Sequence, residues 1–374
     1  MIYLLAIYLQ SLGDQWGFMR VLTYISTRSI AAAITTVIIM LLFTPKVVEK
    51  LYLSGHRDKN RDFDAHLAKS KRGTPTMGGV LIVGAVLIST FLWSDLTSPY
   101  IWAILSAMII FGLLGMVDDL EKVRGGHADA GLGRRTKLIV QTGYGIALGL
   151  FLFLPATTPF PETIVDTIGV PFLKPEMYGG TDVHLGWLYI PFVAFVIVAV
   201  SNAVNLIDGL DGLAAGTSLL PIIVYSVFAY ILGNVNMSEY LLYPFLPGVH
   251  ELVVFSMGLA GALIGFLWYN SYPAELFMGD TGSLSLGGVL AAMILLTKQE
   301  LLFILAGGLF IYVNLTHVIG DRIGIHILGR RIFYRTPIHH AYEHLGIAET
   351  KVVMRFWIVS LMLALVALST MKLR

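Results

Sequence analysis

Read along the chain, mainly apolar stretches recur at lengths close to the roughly 20 residues that a helix needs to cross the hydrocarbon of a bilayer. Ten such spans are predicted, over 23–45, 77–94, 100–117, 136–155, 186–204, 212–232, 252–269, 281–297, 300–320 and 353–371. The eighth and ninth are separated only by Lys298-Gln299-Glu300. The segment Met1 to Gly13 is apolar but too short to cross, and it lacks a basic start. It reads as an interfacial helix leading into the first span rather than as a cleaved signal peptide. The stretch from Pro155 to Trp187, with five prolines and one lysine, reads as an elaboration outside the membrane. No internal repeat is visible. The fold class expected is therefore an all-α polytopic membrane protein, one integral membrane domain over 1–374.

Composition supports lipid as the solvent. Of 374 residues, 56% are hydrophobic and 13% charged, with a mean hydropathy of +0.76. Soluble domains carry about 25% charged residues, and half that number cannot cover a globular surface. A net charge of +1 argues against a nucleic-acid partner. The absence of cysteine excludes disulfides, thiol catalysis and thiolate metal sites. Any metal must be held by oxygen or imidazole ligands, which favours a hard ion such as Mg²⁺.

Basic residues set the sidedness. Nineteen of the 25 lysines and arginines fall in loops that follow odd-numbered spans, around 46–72, 122–137 and 322–355. Those loops are expected in the cytoplasm, and both termini on the opposite, periplasmic side.

Five unusual polar segments fall on that same cytoplasmic side: Lys71 to Gly79, Asp118-Asp119, Asn202 to Gly212, Asn270 to Gly282, and Pro337-Ile338-His339-His340. Each has an ordinary reading. Asp118-Asp119 could mark a membrane boundary, although the C-terminal end of a helix disfavours acids. Asp280 and Asp211 could be N-caps of the spans that follow them. Asn205, Asp208 and Asp211 are spaced by three and share a face if the turn is helical, or they are solvated acids in a glycine-rich turn. Lys71-Arg72 could be a positive-inside signal, and the histidines could be surface residues. The shared side of all five points instead to one site. Carboxylates without thiols at a membrane surface can hold Mg²⁺ against phosphate oxygens, and basic residues can hold a pyrophosphate. A lipid phosphate would enter such a site sideways from the bilayer.

At these residues the chain resembles the phospho-N-acetylmuramoyl-pentapeptide transferase family of the polyprenyl-phosphate sugar-1-phosphate transferase superfamily. The resemblance runs nearly end to end, with Lys71 to Gly79, Asn202 to Gly212, Phe277 to Gly282 and Pro337 to His340 followed by Glu343 as its most specific parts. It implies a ten-helix homodimer in the bacterial inner membrane, dependent on Mg²⁺, with a cytoplasmic active site. The implied reaction joins UDP-N-acetylmuramoyl-pentapeptide to undecaprenyl phosphate, giving lipid I and UMP, the first membrane step of peptidoglycan synthesis. Asp118, Asp119 and Asp280 stand at the family's three functional aspartates, with Asp280 the metal ligand and Asp118 set to deprotonate or position the lipid phosphate. Asp119 would support the metal or the positioning of neighbouring groups. Lys71, Thr76, Asn205, Asp208, Gly209, Leu210, Asp211, Asn270, Phe277, His339 and His340 match substrate-binding positions, with Phe277 placed to stack on uracil. The family's third consecutive histidine is Ala341 here, and its preceding Glu and Gln are Asn314 and Asp321. Roles resting on that histidine or glutamine do not transfer.

Two rival readings are weaker. A sibling transferase acting on UDP-N-acetylglucosamine would share the aspartates but not the Pro337 to His340 segment. An ion-coupled transporter would put its acids nearer mid-membrane and show paired repeats.

Overall fold

The structure is a computed structural model that describes residues 1–54, 73–125, 131–180, 182–320, 330, 332 and 336–373. A helix stands at each of the ten predicted spans. They are α2 (Ile25–Leu53), α3 (Gly79–Trp93), α4 (Pro99–Gly125), α5 (Arg134–Phe153), α6 (Tyr189–Ile207), α7 (Leu213–Leu232), α9 (Glu251–Asn270), α10 (Gly279–Leu296), the pair α11 (Phe303–Ala306) and α12 (Gly308–His317), and α14 (Glu349–Ser369). Eight are long and apolar enough to cross a membrane, whereas α3 and the 308–320 segment are shorter apolar helices. The ninth span is thus broken, at Gly307, instead of running straight through 300–320. Short helices α1 (Ile2–Ser11), α8 (Val235–Tyr240) and α13 (Ile338–His344) complete the set. The protein is an all-α, multi-pass membrane protein.

Helix α10 stands at the centre, packed against α3, α4, α6 and α7. From Thr281 to Leu296 every one of its residues is buried. Its sequence explains that position, because Gly282, Ser283, Ser285, Gly287, Gly288, Ala291 and Ala292 give a surface of small side chains that lets neighbouring backbones approach.

The two ends of the bundle differ in kind. At one end the chain is stitched by buried charge. Arg28 at the start of α2 makes a two-pronged ion pair with Glu251 at the start of α9, at 2.8 and 2.6 Å. The same carboxylate accepts the Asp95 N–H at 2.9 Å, and Arg28 also donates to the Trp93 carbonyl at 3.3 Å. Paired, hydrogen-bonded charges are the form in which burial is tolerated, although the buried Arg28 Nε has no hydrogen-bond partner among the described residues. Lys298, in the turn after α10, is 3% exposed. Its ammonium donates to Val165 O at 2.7 Å and Thr167 O at 3.2 Å and lies 3.8 Å from the centre of the Tyr189 ring. Burial lowers its pKa, against the opposing pull of Glu300. Lys298 therefore pins the 155–187 elaboration, whose two-residue strands β1 (Thr167–Ile168) and β2 (Val183–His184) pair antiparallel. Both ends of the described chain lie at this end too: the Met1 amine donates to Phe91 O and Leu92 O, and Lys372 sits over the Tyr240 ring. The polar segments singled out in the sequence gather at the other end.

Candidate active site

Helix α4 runs past its apolar stretch for two more turns, so Asp118 and Asp119 sit on a helix and not on a loop. Both are buried. They point to different partners, as adjacent residues on a helix must, being about 100° apart. Asp119 faces the start of α10. Its Oδ1 accepts the Asp280 N–H at 3.0 Å, and its Oδ2 accepts the Thr281 N–H at 2.9 Å and the Thr281 hydroxyl at 2.6 Å. The first N–H groups of a helix have no partner within it, and here a side chain from another helix supplies one. Asp119 is the cap of α10.

Two ordinary readings of the acids fall with the helix starts seen here. Asp280 is not the N-cap of its helix, since it lies in the first turn and the capping position is Met278, with no side-chain cap bond. Asp211 does not cap α7 either; the capping position there is Gly212. The approach of α10 to α4 depends on missing side chains. A Cβ on Gly115 would lie 2.1 Å from the Asp280 carbonyl oxygen, and one on Gly279 would lie 2.6 Å from the Asp119 carboxylate. Gly279 also has φ +73°, a conformation open to glycine at little cost.

Released from capping, the Asp280 carboxylate turns toward Asp118, and two lysines bridge the pair. Lys122 lies 2.8 Å from Asp118 Oδ2 and 3.0 Å from Asp280 Oδ1. Lys137, from the first turn of α5, lies 2.9 Å from Asp118 Oδ1 and 2.8 Å from Asp280 Oδ2. Asp118 Oδ1 also accepts the Leu132 N–H at 2.7 Å, which holds the segment before α5 against the site. Lys122 and Lys137 were read in the sequence only as sidedness signals. The spacing of Lys122, one turn beyond Asp118 on a helix, was a usable signal; nothing local marked Lys137.

One oxygen from each of Asp118, Asp119 and Asp280 can come within 4.8 Å of the others. These are hard donors that suit Mg²⁺. Both Asp119 oxygens accept from α10, and the oxygens of Asp118 and Asp280 face the two lysines, whose amines are suited to phosphate oxygens.

Beside this centre lies a second group of predicted residues. Helix α6 ends at Ile207, so Asp208 and Asp211 both lie beyond it, in a turn that is not helical, and the helical face that the spacing allowed for Asn205, Asp208 and Asp211 does not form. Asn205, still helical, donates to Ser283 Oγ of α10 at 2.9 Å. Leu210 and Asp211 are buried. Asp211 accepts the Ala274 N–H at 3.1 Å, and Asn270 accepts the Gly212 N–H at 3.0 Å while donating to Leu276 O at 2.8 Å. These two side chains sew the 208–212 turn to the 270–278 loop. Phe277 is half-buried, and its backbone is zipped to the 75–79 segment through Phe277 N to Pro75 O and Gly78 N to Phe277 O, both 2.8 Å. Thr76 lies next to Gly279, its hydroxyl 3.1 Å from the position of an added Cβ. His339, buried, and His340 pack on Gly209, and His340 Nδ1 is 2.9 Å from Glu343 Oε2. The structure therefore brings together all the predicted residues it describes; Lys71 and Asp321 lie outside the described residues. Glu349 and Trp357, which hold the same turn from α14, were not anticipated.

Comparison with known proteins agrees with this geometry. Residues 101–298 match the family described as Glycosyl transferase family 4, and residues 71–83 match Phospho-N-acetylmuramoyl-pentapeptide-transferase signature 1. The chain is 43% identical over 368 residues to the phospho-N-acetylmuramoyl-pentapeptide-transferase of Maridesulfovibrio salexigens, covering 98% of this chain and 99% of that one. It is 42% identical over 368 residues to the same-named protein of Desulfovibrio desulfuricans, and 44% over 369 residues to that of Citrifermentans bemidjiense, with the same coverage.

Proposed function

The chain belongs to the phospho-N-acetylmuramoyl-pentapeptide-transferase family, and from that membership we propose how its site carries out the reaction. The enzyme transfers phospho-N-acetylmuramoyl-pentapeptide from its uridine diphosphate carrier to undecaprenyl phosphate, releasing UMP. The observation that carries the reading is the bridge of Asp118 and Asp280, from two different helices, by Lys122 and Lys137. It puts carboxylates and ammonium groups in one partly exposed cluster at the end of the bundle, where a diphosphate and a lipid phosphate could meet.

An oxygen of the lipid phosphate attacks the phosphorus that carries the sugar. A new P–O bond forms as the bond to the bridging oxygen of the diphosphate breaks, and UMP leaves with that oxygen. Asp118 takes the remaining proton of the lipid phosphate and orients it. Lys122 and Lys137 hold phosphate oxygens and balance the charge brought in by substrate. Asp280 with Asp118 would hold Mg²⁺, which would supply neutralising charge to the phosphate oxygens and to the departing UMP. The 208–212 turn, Asn270, Phe277 and the His339-His340 pair form the uridine pocket. Basic-loop asymmetry supports a site on the cytoplasmic face of the bacterial inner membrane, with both termini in the periplasm. We propose a homodimer as the working form.

Purified protein with Mg²⁺ and a polyprenyl phosphate is expected to release UMP from UDP-N-acetylmuramoyl-pentapeptide. Release from UDP-N-acetylglucosamine in its place would move the protein to the sibling activity.

A further inference from the structure

We infer that Glu349 is a positioning residue for the uridine pocket, fixing the 208–212 turn from the first residue of the last helix. The inference rests on the reading of that turn as the nucleotide site. The turn has no regular structure to hold it: α6 stops at Ile207, α7 begins at Leu213, and Gly212 sits at φ +75°. Its backbone must find partners elsewhere. Glu349 Oε1 accepts the Asp211 N–H at 2.9 Å, Asn270 Oδ1 accepts the next N–H, from Gly212, and the Trp357 indole donates to the Gly212 carbonyl at 3.3 Å. Two of these three supports come from α14, which carries none of the aspartates or lysines of the acidic centre.

An acid in the first turn of a helix is ordinarily a solvated partner of the helix dipole. Glu349 is 7% exposed, and its carboxylate points at a segment 138 residues earlier in the chain. A carboxylate accepting a backbone N–H makes a stronger and more directional bond than a neutral acceptor. The residues held this way directly follow Asp208, Gly209 and Leu210. Glu349 thus acts on nucleotide binding through the backbone of the turn, without touching the reacting phosphates.

The test is UMP binding and steady-state UMP release with Glu349→Ala, Glu349→Asp, Glu349→Gln and, as control, Ser360→Ala. Ser360 donates to Thr217 O at 3.3 Å and joins the same two helices away from the turn. Glu349→Ala and Glu349→Asp are expected to raise KM for the nucleotide substrate and weaken UMP binding about tenfold, equivalent to ~1.4 kcal/mol. Their kcat and Mg²⁺ dependence should stay close to wild type. Glu349→Gln, which keeps an acceptor oxygen, should restore KM, and Ser360→Ala should leave it unchanged. Unaltered UMP affinity in both the Ala and Asp variants would overturn the inference, as would an equal loss in Ser360→Ala, which would reduce Glu349 to general helix docking. Should Glu349→Ala fail to fold, the Asp and Gln pair still decides it. Absence of UMP binding by the wild type would overturn the functional reading itself, and the inference with it.

Discussion

Replacing Asp119 by asparagine removes one acceptor oxygen and the negative charge while leaving the side-chain volume almost unchanged. In the native site that carboxylate accepts from Asp280 N, Thr281 N and Thr281 Oγ1 at 3.0, 2.9 and 2.6 Å. An asparagine oxygen can serve one of the two N–H groups, and its amide nitrogen then faces the other, a donor against a donor. Hydrogen bonds to charged groups contribute about 1.5–3 kcal/mol, and an orphaned buried donor costs about 1–3 kcal/mol. The lost contact and the orphaned N–H are one event, so the start of α10 is destabilised by about 1–3 kcal/mol. Asp280 is the residue whose own N–H is being held, so the loss is passed directly to the reacting centre, where a misplacement of about 1 Å can cost about a hundredfold in rate. UMP release should therefore fall by at least about a hundredfold. Raising Mg²⁺ should not restore it, because what is lost is the placement of Asp280 and not a metal charge. The assay is UMP release across a Mg²⁺ range, with apparent melting temperature measured alongside. Thr281→Val should cost less in the Asp119→Asn background than in wild type, since the shared contact is already broken. Full recovery by Mg²⁺ at an unchanged melting temperature would refute this reasoning and make Asp119 a metal ligand first.

Two further outcomes follow from the same geometry. Asp280→Asn should leave α10 capped, because the cap comes from Asp119, yet reduce UMP release at least about a hundredfold, the scale of one lost catalytic electrostatic contact; near-normal turnover would remove Asp280 from the chemistry. Gly209→Ala should weaken UMP binding about tenfold or more with little change in melting temperature, since the new Cβ would lie 2.4 Å from His339 Nε2 and 2.9 Å from His340 Nε2. Unchanged affinity would mean that the histidine segment yields freely and does not shape the pocket.

The candidate site was legible in the sequence as a set of residues, and roles for them came only from the family resemblance. Asp118, Asp119 and Asp280 stood out because acids at the edge of apolar spans are costly unless used. That Asp119 holds the start of α10 was not readable. Whether an aspartate before a helix caps it, or is itself held by a cap from elsewhere, depends on which side chain of another helix reaches the first-turn N–H groups. Asp211 shows the same limit from the other direction: nothing in its spacing from Asn205 and Asp208 announced that its side chain would be buried and tied to the Ala274 N–H.

Hydrophobic length by itself determined the helices, because in lipid the backbone must satisfy its own hydrogen bonds and has little freedom to be anything else. The charge bias of the loops and the polar segments at the span edges likewise depend on solvent, lipid on one side and water on the other, and solvent preference is a property each residue carries locally. Tertiary structure decided what depends on neighbours from distant parts of the chain. It made Lys137 part of the acidic centre and Lys298 a buried pin, although both had read as loop charges. It also turned Glu349 from a helix-end acid into a support of the 208–212 turn. A charged side chain is defined by its partner, and in this bundle the partners lie on helices that only packing brings together.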